Sequence, residues 1–313
     1  MNTRKFFYSF FILIISFLIL QNNVFAEGKI KVAATTTTLG NIVSEIAGDK
    51  VEIYSIASPK RDIHFYAPTP RDVLKMKKAD VLVHQGLDLE AWRGPLIDAA
   101  GNPLFLGEGD FSIDVSKGIS LLEVPSSLSR VQGDIHFYGN PHYTVDPENI
   151  KIIATNIAQG LAKAFPENAN YFRKNEKVFN QKLDDKIKDW NRRMAPYKGT
   201  PIVTYHRSWS YFAKRFDFIV VGEVEPKPGI PPTAKHIAEL TRVMKEKNVK
   251  VIIKETYRES QTPNKIAEAT GAQVLTLVQD VGEVKEAHDY SSMIEHDIQL
   301  LENALGQKKE NGR

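Results

Sequence analysis

Cysteine is absent from the 313-residue chain, and histidine is scarce, with eight residues in all. The lack of thiols excludes disulfides, thiolate metal sites and cysteine nucleophiles, and it excludes lipid attachment at a cysteine of this sequence. Any metal that the chain binds must therefore be held without thiolate ligands.

A strong charge imbalance is also missing. The formal net charge is +3 over the whole chain, and it falls to +1 without Arg4 and Lys5, the only charged residues among the first 26. Such a balance gives no electrostatic reason to expect a nucleic-acid partner. Neither a phosphate-binding glycine motif nor a G-x-S-x-G elbow occurs, so these two catalytic signatures are excluded as well.

Only one long apolar run occurs, at the start of the sequence. The segments MNTRK, FFYSFFILIISFLIL and QNNVFA follow the basic, apolar and small-residue order of a secretory signal peptide and predict cleavage after Ala26. The apolar part has about fifteen residues, fewer than the ~20 of a spanning helix, which argues against an uncleaved membrane anchor. We expect residues 1–26 to be removed and the mature chain to be a soluble monomer in a bacterial periplasm.

Beyond Glu27, short β-branched runs alternate with amphipathic runs, for example KIKVAAT with LGNIVSEIAG and PIVTYH with RSWSYFAKRF. This alternation predicts an α/β fold built from βα units around parallel sheets. One stretch, 166–197, keeps helical spacing over its whole length and predicts a rod of about 40 Å. We expect two similar lobes, 27–165 and 198–306, joined by this linker helix, and a polar tail at 307–313.

The histidines indicate where chemistry could occur, because imidazole is the commonest metal ligand. In open α/β sheets, ligands gather at the carboxyl ends of the strands. His206 directly follows the predicted strand PIVTY, and His64 lies in the loop after VEIYSIAS. His142 lies in GNPHYTVDP, where Pro141 and Pro147 restrict the backbone and so reduce the entropy lost when the side chain is fixed on a ligand.

Five segments spread over nearly the whole mature chain match the pattern of a known family. They are DIHFYAPTPRD (62–72), GNPHYTVDP (139–147), YHRSWSYFAKRF (205–216), EPKPGIPPT (225–233) and DYSSMIEHD (289–297). With these segments and the long predicted helix, the chain resembles the zinc- and manganese-binding proteins of bacterial ABC metal importers. In that family two lobes are joined by one rigid helix, with a metal cleft between them.

The resemblance implies four metal ligands, two from each lobe: His64, His142, His206 and Asp289. It leaves His288 as a second candidate for the position of Asp289, because some members place a residue between the acid and the following tyrosine. His136 is interpreted as a partner of the site, as a residue of the entry to the site, or as an exposed loop histidine. Glu255, at the end of VKVIIKE, is a candidate acceptor for a ligand imidazole.

Three imidazoles and a carboxylate suit Zn²⁺, whereas Mn²⁺, the second candidate, prefers more oxygen ligands. A site closed by four protein ligands leaves no position for an activated water, so we expect a carrier and not an enzyme. The expected partner is the permease of an ABC importer in the inner membrane. The sequence leaves open whether a metallochaperone loads the site. Two rival functions are a zinc hydrolase, which needs an open coordination position, and an adhesin, which needs surface display.

Overall fold

The computed structural model describes residues 28–106, 109–125, 136–227 and 229–306. The predicted signal peptide, 1–26, and the predicted polar tail, 307–313, lie outside these ranges. Within them, no helix combines the length and the apolar character that crossing a bilayer requires.

The first lobe is built on a parallel four-stranded sheet with the order β2-β1-β3-β4. Its strands are β1 (Ile30–Ala34), β2 (Val51–Ser55), β3 (Val81–His84) and β4 (Ser112–Asp114), and its helices are α1 (Thr37–Ala47), α2 (Pro70–Lys77) and α3 (Arg93–Ala100). Every residue of β3 is buried, as is typical of a central parallel strand covered on both faces. Because the strands are parallel, the loops that follow them meet at one edge of the sheet.

Two helices lead from the first lobe to the second. They are α4 (Pro147–Ala164) and α5 (Ala169–Met194), and α5 has 26 residues, which corresponds to about 39 Å. Short 3-10 turns at Pro166–Asn168 and Ala195–Tyr197 flank α5, so helical structure covers 166–197 and confirms the predicted linker. The buried face of α5 repeats at helical spacing: Phe172, Phe179, Leu183, Ile187, Trp190 and Met194.

The second lobe repeats the plan of the first, with the strand order β6-β5-β7-β8. Its strands are β5 (Pro201–Thr204), β6 (Ile219–Glu223), β7 (Val251–Glu255) and β8 (Gln273–Leu277), and its helices are α6 (Ser210–Phe216), α7 (Ala234–Glu246), α8 (Gln261–Thr270) and α9 (Tyr290–Gly306). In both sheets the second strand lies outside the first. The prediction of two similar parallel-sheet lobes is thus confirmed.

The linker helix is fixed to the second lobe by charge and by apolar packing. Arg193 of α5 places Nη1 2.8 Å from Glu295 Oε1 and Nη2 2.6 Å from Glu302 Oε2, both on α9. Leu183 of α5 belongs to one hydrophobic core that contains residues of both lobes, such as Ile42 and Ile298. The linker is therefore part of the core and not a free tether between the lobes.

Candidate metal centre

Three histidines from the two lobes meet in the cleft. One nitrogen atom from each of His64, His142 and His206 lies within 4.8 Å of the other two. The ring centroids are 5.0 Å apart for His64 and His142, 5.4 Å for His64 and His206, and 5.3 Å for His142 and His206. The structure thus brings together three of the four residues that the sequence predicts as ligands.

His64 and His206 lie on loops that follow strands, where the sequence places them. His64 belongs to a 3-10 turn, Ile63–Phe65, beyond β2, and the Asp62 carboxylate caps this turn by accepting a hydrogen bond from the His64 backbone at 3.0 Å. His206 follows β5 after one residue and precedes a 3-10 turn, Arg207–Trp209. Each imidazole is therefore carried by a short loop with a defined turn at the edge of a sheet.

His142 lies at a tight corner of the chain that is held by hydrogen bonds from its own lobe and from the second lobe. Within the first lobe, the side chain of Asn140 accepts a hydrogen bond from the His142 backbone at 2.9 Å. From the second lobe, the Tyr211 hydroxyl donates to the carbonyl of Asn140 at 2.8 Å, and the Tyr290 hydroxyl donates to the carbonyl of Thr144 at 2.9 Å. The rigid corner inferred from the flanking prolines is thus held by contacts across the cleft as well.

Carboxylates fix two of the three imidazoles through Nδ1. Asp62 Oδ1 lies 2.7 Å from His64 Nδ1, and Glu225 Oε2 lies 2.6 Å from His206 Nδ1. A carboxylate at this position holds the proton on Nδ1 and leaves Nε2 with a lone pair for a metal. Nε2 of His142 is buried and has no hydrogen-bond partner among the described residues. Both features are those of metal-binding imidazoles.

The electrostatics of the cleft favour neutral imidazole at His142. Burial, followed by the positive charges that His64 and His206 can carry, lowers the pKa of His142 well below its usual value. Burial alone would raise the pKa of Asp62, but the hydrogen bond and charge of His64 and the charge of Arg258 outweigh it and lower that pKa. The cleft therefore holds an ionised carboxylate behind His64 and a neutral nitrogen donor at His142.

A fourth histidine adjoins this group. His136 Nε2 lies 3.1 Å from His64 Nε2, and His136 Nδ1 lies 2.9 Å from Asp88 Oδ1. The ring centroids of His136 and His142 are 6.0 Å apart. A tetrahedral zinc ion with bonds of about 2.0–2.1 Å separates its ligand atoms by about 3.3 Å, close to the His64–His136 spacing. His136 therefore repeats the pattern of His64 and His206, with Nδ1 on a carboxylate, and its Nε2 faces that of His64.

Asp289, like His136, is not one of the three residues whose nitrogen atoms all lie within 4.8 Å of one another. Its Oδ1 accepts a hydrogen bond from the Ser292 backbone at 2.7 Å, in the first turn of α9, and the Ser292 hydroxyl accepts one from the Asp289 backbone at 2.9 Å. The residue lines a separate cavity of about 190 Å³ with Glu45 and Lys182. His288, the second candidate for this position, is 72% exposed. The structure therefore gives Asp289 the contacts of a helix cap.

Two acidic residues of the cleft, Glu225 and Asp280, are missed by the sequence analysis. Glu225 holds His206, whereas Glu255 accepts hydrogen bonds from Ser208 Oγ at 2.6 Å and Trp209 Nε1 at 3.0 Å. No ligand imidazole among the described residues donates a hydrogen bond to Glu255. Asp280 shares with His142 the lining of a small cavity of about 20 Å³. The available signal was position, since Glu225 and Asp280 each follow the end of a strand by two or three residues.

The chain is similar to metal-binding proteins along nearly its whole described length. The model of one family, the periplasmic component A of zinc-uptake complexes (ZnuA), matches residues 32–304. The iron-binding protein YfeA of Yersinia pestis is 27% identical over 288 residues, which cover 89% of this chain and 87% of that protein. The manganese ABC transporter substrate-binding lipoprotein PsaA of Streptococcus anginosus is 27% identical over 288 residues, which cover 88% and 89% of the two chains.

The chain is also similar to a protein named for zinc and to a solved structure. The zinc-binding protein AdcA of Streptococcus pyogenes serotype M1 is 24% identical over 296 residues, 89% of this chain and 56% of that relative. The crystal structure of ZnuA matches with a TM-score of 0.75 and 25% identity and covers 88% of this chain and 99% of its own. The likeness to ZnuA includes the two lobes and the long helix between them, as the sequence predicts.

Two parallel-sheet lobes, a linker helix and a cleft lined by histidines define a metal-binding protein of the substrate-receptor class. The chain belongs to the ZnuA family of metal-binding components of ABC importers. Members of this family are substrate-binding proteins and not enzymes, and they act outside the cytoplasm with a membrane permease and its ATPase as partners.

Proposed function

We propose that this chain captures zinc in the periplasm and delivers it to the permease of an ABC importer. The observation that supports zinc is the donor set, because the cleft presents imidazole nitrogens that are each backed by a carboxylate or buried without a partner among the described residues. Borderline-soft Zn²⁺ accepts such nitrogen donors in tetrahedral geometry, whereas Mn²⁺ prefers oxygen.

The proposed ligands are His64, His142 and His206, with His136 as the fourth donor. His136 takes the place that the sequence analysis gave to Asp289, because its Nε2 lies 3.1 Å from His64 Nε2 and the Asp289 carboxylate caps a helix. A cation bound by all four would draw Nε2 of His136 and His64 onto one centre and satisfy the buried Nε2 of His142.

Manganese or iron is the second candidate, and one residue favours it. Asp280 faces the same small cavity as His142, and its Oδ1 accepts a hydrogen bond from Thr38 Oγ1 at 2.7 Å. The relatives named for manganese and iron are each 27% identical to the chain, and the relative named for zinc is 24% identical. An Asp280 oxygen in the coordination sphere would shift the preference toward these harder cations.

Competition titrations of the metal-free protein with zinc and manganese test the proposal. Zinc is expected to bind more tightly by orders of magnitude, and H136A is expected to weaken zinc more than D280A does. The proposal would change from zinc to manganese on two results together: a similar concentration of manganese displaces zinc, and D280A loses more metal affinity than H136A does.

The proposal includes export, with residues 1–26 removed as a signal peptide and lobes 27–165 and 198–306 retained as a monomer. Mass spectrometry of protein from the native compartment is expected to show Glu27 as the first residue. A mass that includes residues 1–26 would contradict cleavage and favour an anchored protein.

A further inference from the structure

Arg258 lies between two carboxylates that belong to different lobes. Its Nη2 is 3.2 Å from Oδ2 of Asp62, on the loop after β2, and 3.7 Å from Oε2 of Glu225, on the loop after β6. Arg258 itself follows β7 in the second lobe. The contact with Asp62 is therefore an ion pair across the cleft, beside the histidine group.

Each of these carboxylates also holds a histidine of its own lobe. Asp62 uses Oδ1 for His64 Nδ1 and presents Oδ2 to Arg258, and Glu225 Oε2 accepts from His206 Nδ1. An unbroken chain of contacts thus runs from His64 to His206 through Asp62, Arg258 and Glu225. This chain joins the two imidazoles across the cleft from behind, without passing through the space between their Nε2 atoms.

The position of the guanidinium is itself fixed. The side chain of Arg258 is 15% exposed, and its guanidinium carbon lies 5.5 Å from the ring centroids of both Tyr205 and Tyr257. The ammonium group of Lys254 donates to the carbonyls of Glu255 at 3.1 Å and Arg258 at 3.0 Å and so holds the turn that carries Arg258. An arginine held in this way has already lost the side-chain freedom that binding would otherwise cost.

Charge and shape both call for arginine here. Two largely buried carboxylates in one cleft repel each other unless a cation lies between them, and Arg258 meets both with the same atom, Nη2. The guanidinium also places Nε 3.9 Å from Oε2 of a third carboxylate, Glu255, whereas the ammonium group of a lysine carries its charge at one point and cannot reach in both directions. Among the described residues, Asp62 Oδ2 has no aligned hydrogen bond, so its contact with Arg258 is ionic and can adjust when the lobes move slightly.

We propose that Arg258 is a positioning residue of the metal site, which holds the carboxylates behind His64 and His206 in register across the cleft. This inference rests on the proposed metal site. It predicts that Arg258 sets how well the two imidazoles are aligned for one cation before that cation arrives. Loss of the guanidinium should weaken zinc binding roughly 10- to 100-fold, the range found for groups that orient metal ligands.

The test compares R258M and R258K with R242M as a matched control. Arg242 also pairs with two carboxylates, Glu239 and Glu246, but on the exposed surface of α7. Zinc affinity is measured by chelator competition, and Co²⁺ absorption reports the geometry of the ligands directly. R258M is expected to lose zinc affinity and to shift the Co²⁺ spectrum, R258K to recover part of both, and R242M to behave as the wild type.

A double variant tests whether Arg258 acts through Asp62. If it does, the loss of zinc affinity in D62N/R258M is smaller than the product of the two single losses. The inference would be overturned by wild-type zinc affinity and an unchanged Co²⁺ spectrum in R258M, whatever its melting temperature. It would also be overturned if the loss of zinc affinity in D62N/R258M equals the product of the two single losses. If R258M does not fold, wild-type behaviour of R258K overturns it.

The variant H142A separates this inference from the proposed function. If H142A loses zinc affinity and R258M retains it, the proposed metal site is supported and only the proposed role of Arg258 is wrong. If H142A binds zinc as tightly as the wild type, the metal site itself fails and the inference falls with it.

Discussion

Glu225 and His206 form the shortest of the carboxylate–imidazole contacts described in the cleft, with Oε2 2.6 Å from Nδ1 and both side chains buried. Burial alone would raise the pKa of Glu225, but the hydrogen bond and the charge of His206 outweigh it and lower that pKa. Glu225 is therefore ionised behind the imidazole and raises the basicity of Nε2, the atom that would bind the proposed metal.

Replacement of Glu225 by alanine is expected to weaken zinc binding roughly 10- to 100-fold, because His206 loses the group that fixes its orientation and its proton. Isothermal titration with a competing chelator measures the change. The control is E239A, since Glu239 pairs with Arg242 on the exposed face of α7. Equal affinities for E225A and E239A would show that the contact is irrelevant to binding.

His136 is expected to complete the metal site. In H136A the Co²⁺-loaded protein should show a changed absorption spectrum and weaker zinc binding, because one nitrogen donor is exchanged for water. H288A is the control, since His288 is exposed on the loop before α9. A spectrum identical to that of the wild type would place His136 outside the coordination sphere.

Asp289 is expected to act on stability and not on metal affinity. The variant D289A removes the side chain that accepts from the Ser292 backbone, and the loss of such a cap costs about 1 kcal/mol of folding free energy. Urea unfolding of the metal-free protein measures that cost, and chelator competition measures the affinity. A large loss of zinc affinity in D289A would restore this residue as a ligand.

His84 is expected to make the metal-free protein less stable in acid. Burial, followed by the charge of Arg93, lowers the pKa of His84 to about 4, with a smaller opposing effect from Asp114. In the unfolded chain His84 has a pKa near 6.5 and takes up a proton, whereas in the folded chain it stays neutral until about pH 4. Stability is therefore lost as pH falls from about 6.5 toward 4. The loss between pH 7 and pH 5 is about 2 kcal/mol for this group.

Urea unfolding of wild type and H84Q at both pH values isolates this contribution, because the carboxylates titrate in both proteins. The variant should lose less stability than the wild type on acidification. Parallel losses in the two proteins would show that His84 does not titrate in this way.

The fold could be predicted from the sequence because its signals are local. Alternating short apolar and amphipathic runs specify βα units, and the apolar spacing from Phe172 to Met194 specifies the linker helix. His64 and His206 could be placed because strands of a parallel sheet end at a common edge, so residues just after them meet. No contact between distant residues had to be known for any of these inferences.

The remainder of the site depends on the paths of loops, which the sequence does not show. The loop between β8 and α9 brings Asp280 to the cavity beside His142 and leaves Asp289 at the start of α9. Ser292, three residues beyond Asp289, was the available signal of a cap. The two strands beside β5 are β6 and β7; Glu225 follows β6, and Glu255 is the last residue of β7. Only the packed structure shows which of the two carboxylates contacts His206.

The central claim is that His64, His142 and His206 hold one zinc ion between the lobes. The most direct test is the metal content of protein purified from its native compartment, measured by mass spectrometry for the wild type and for H142A. The account predicts about one zinc per wild-type chain and a large loss in H142A, because His142 offers a buried nitrogen with no other partner among the described residues. An unchanged zinc content in H142A, or another metal in the wild type, would contradict it.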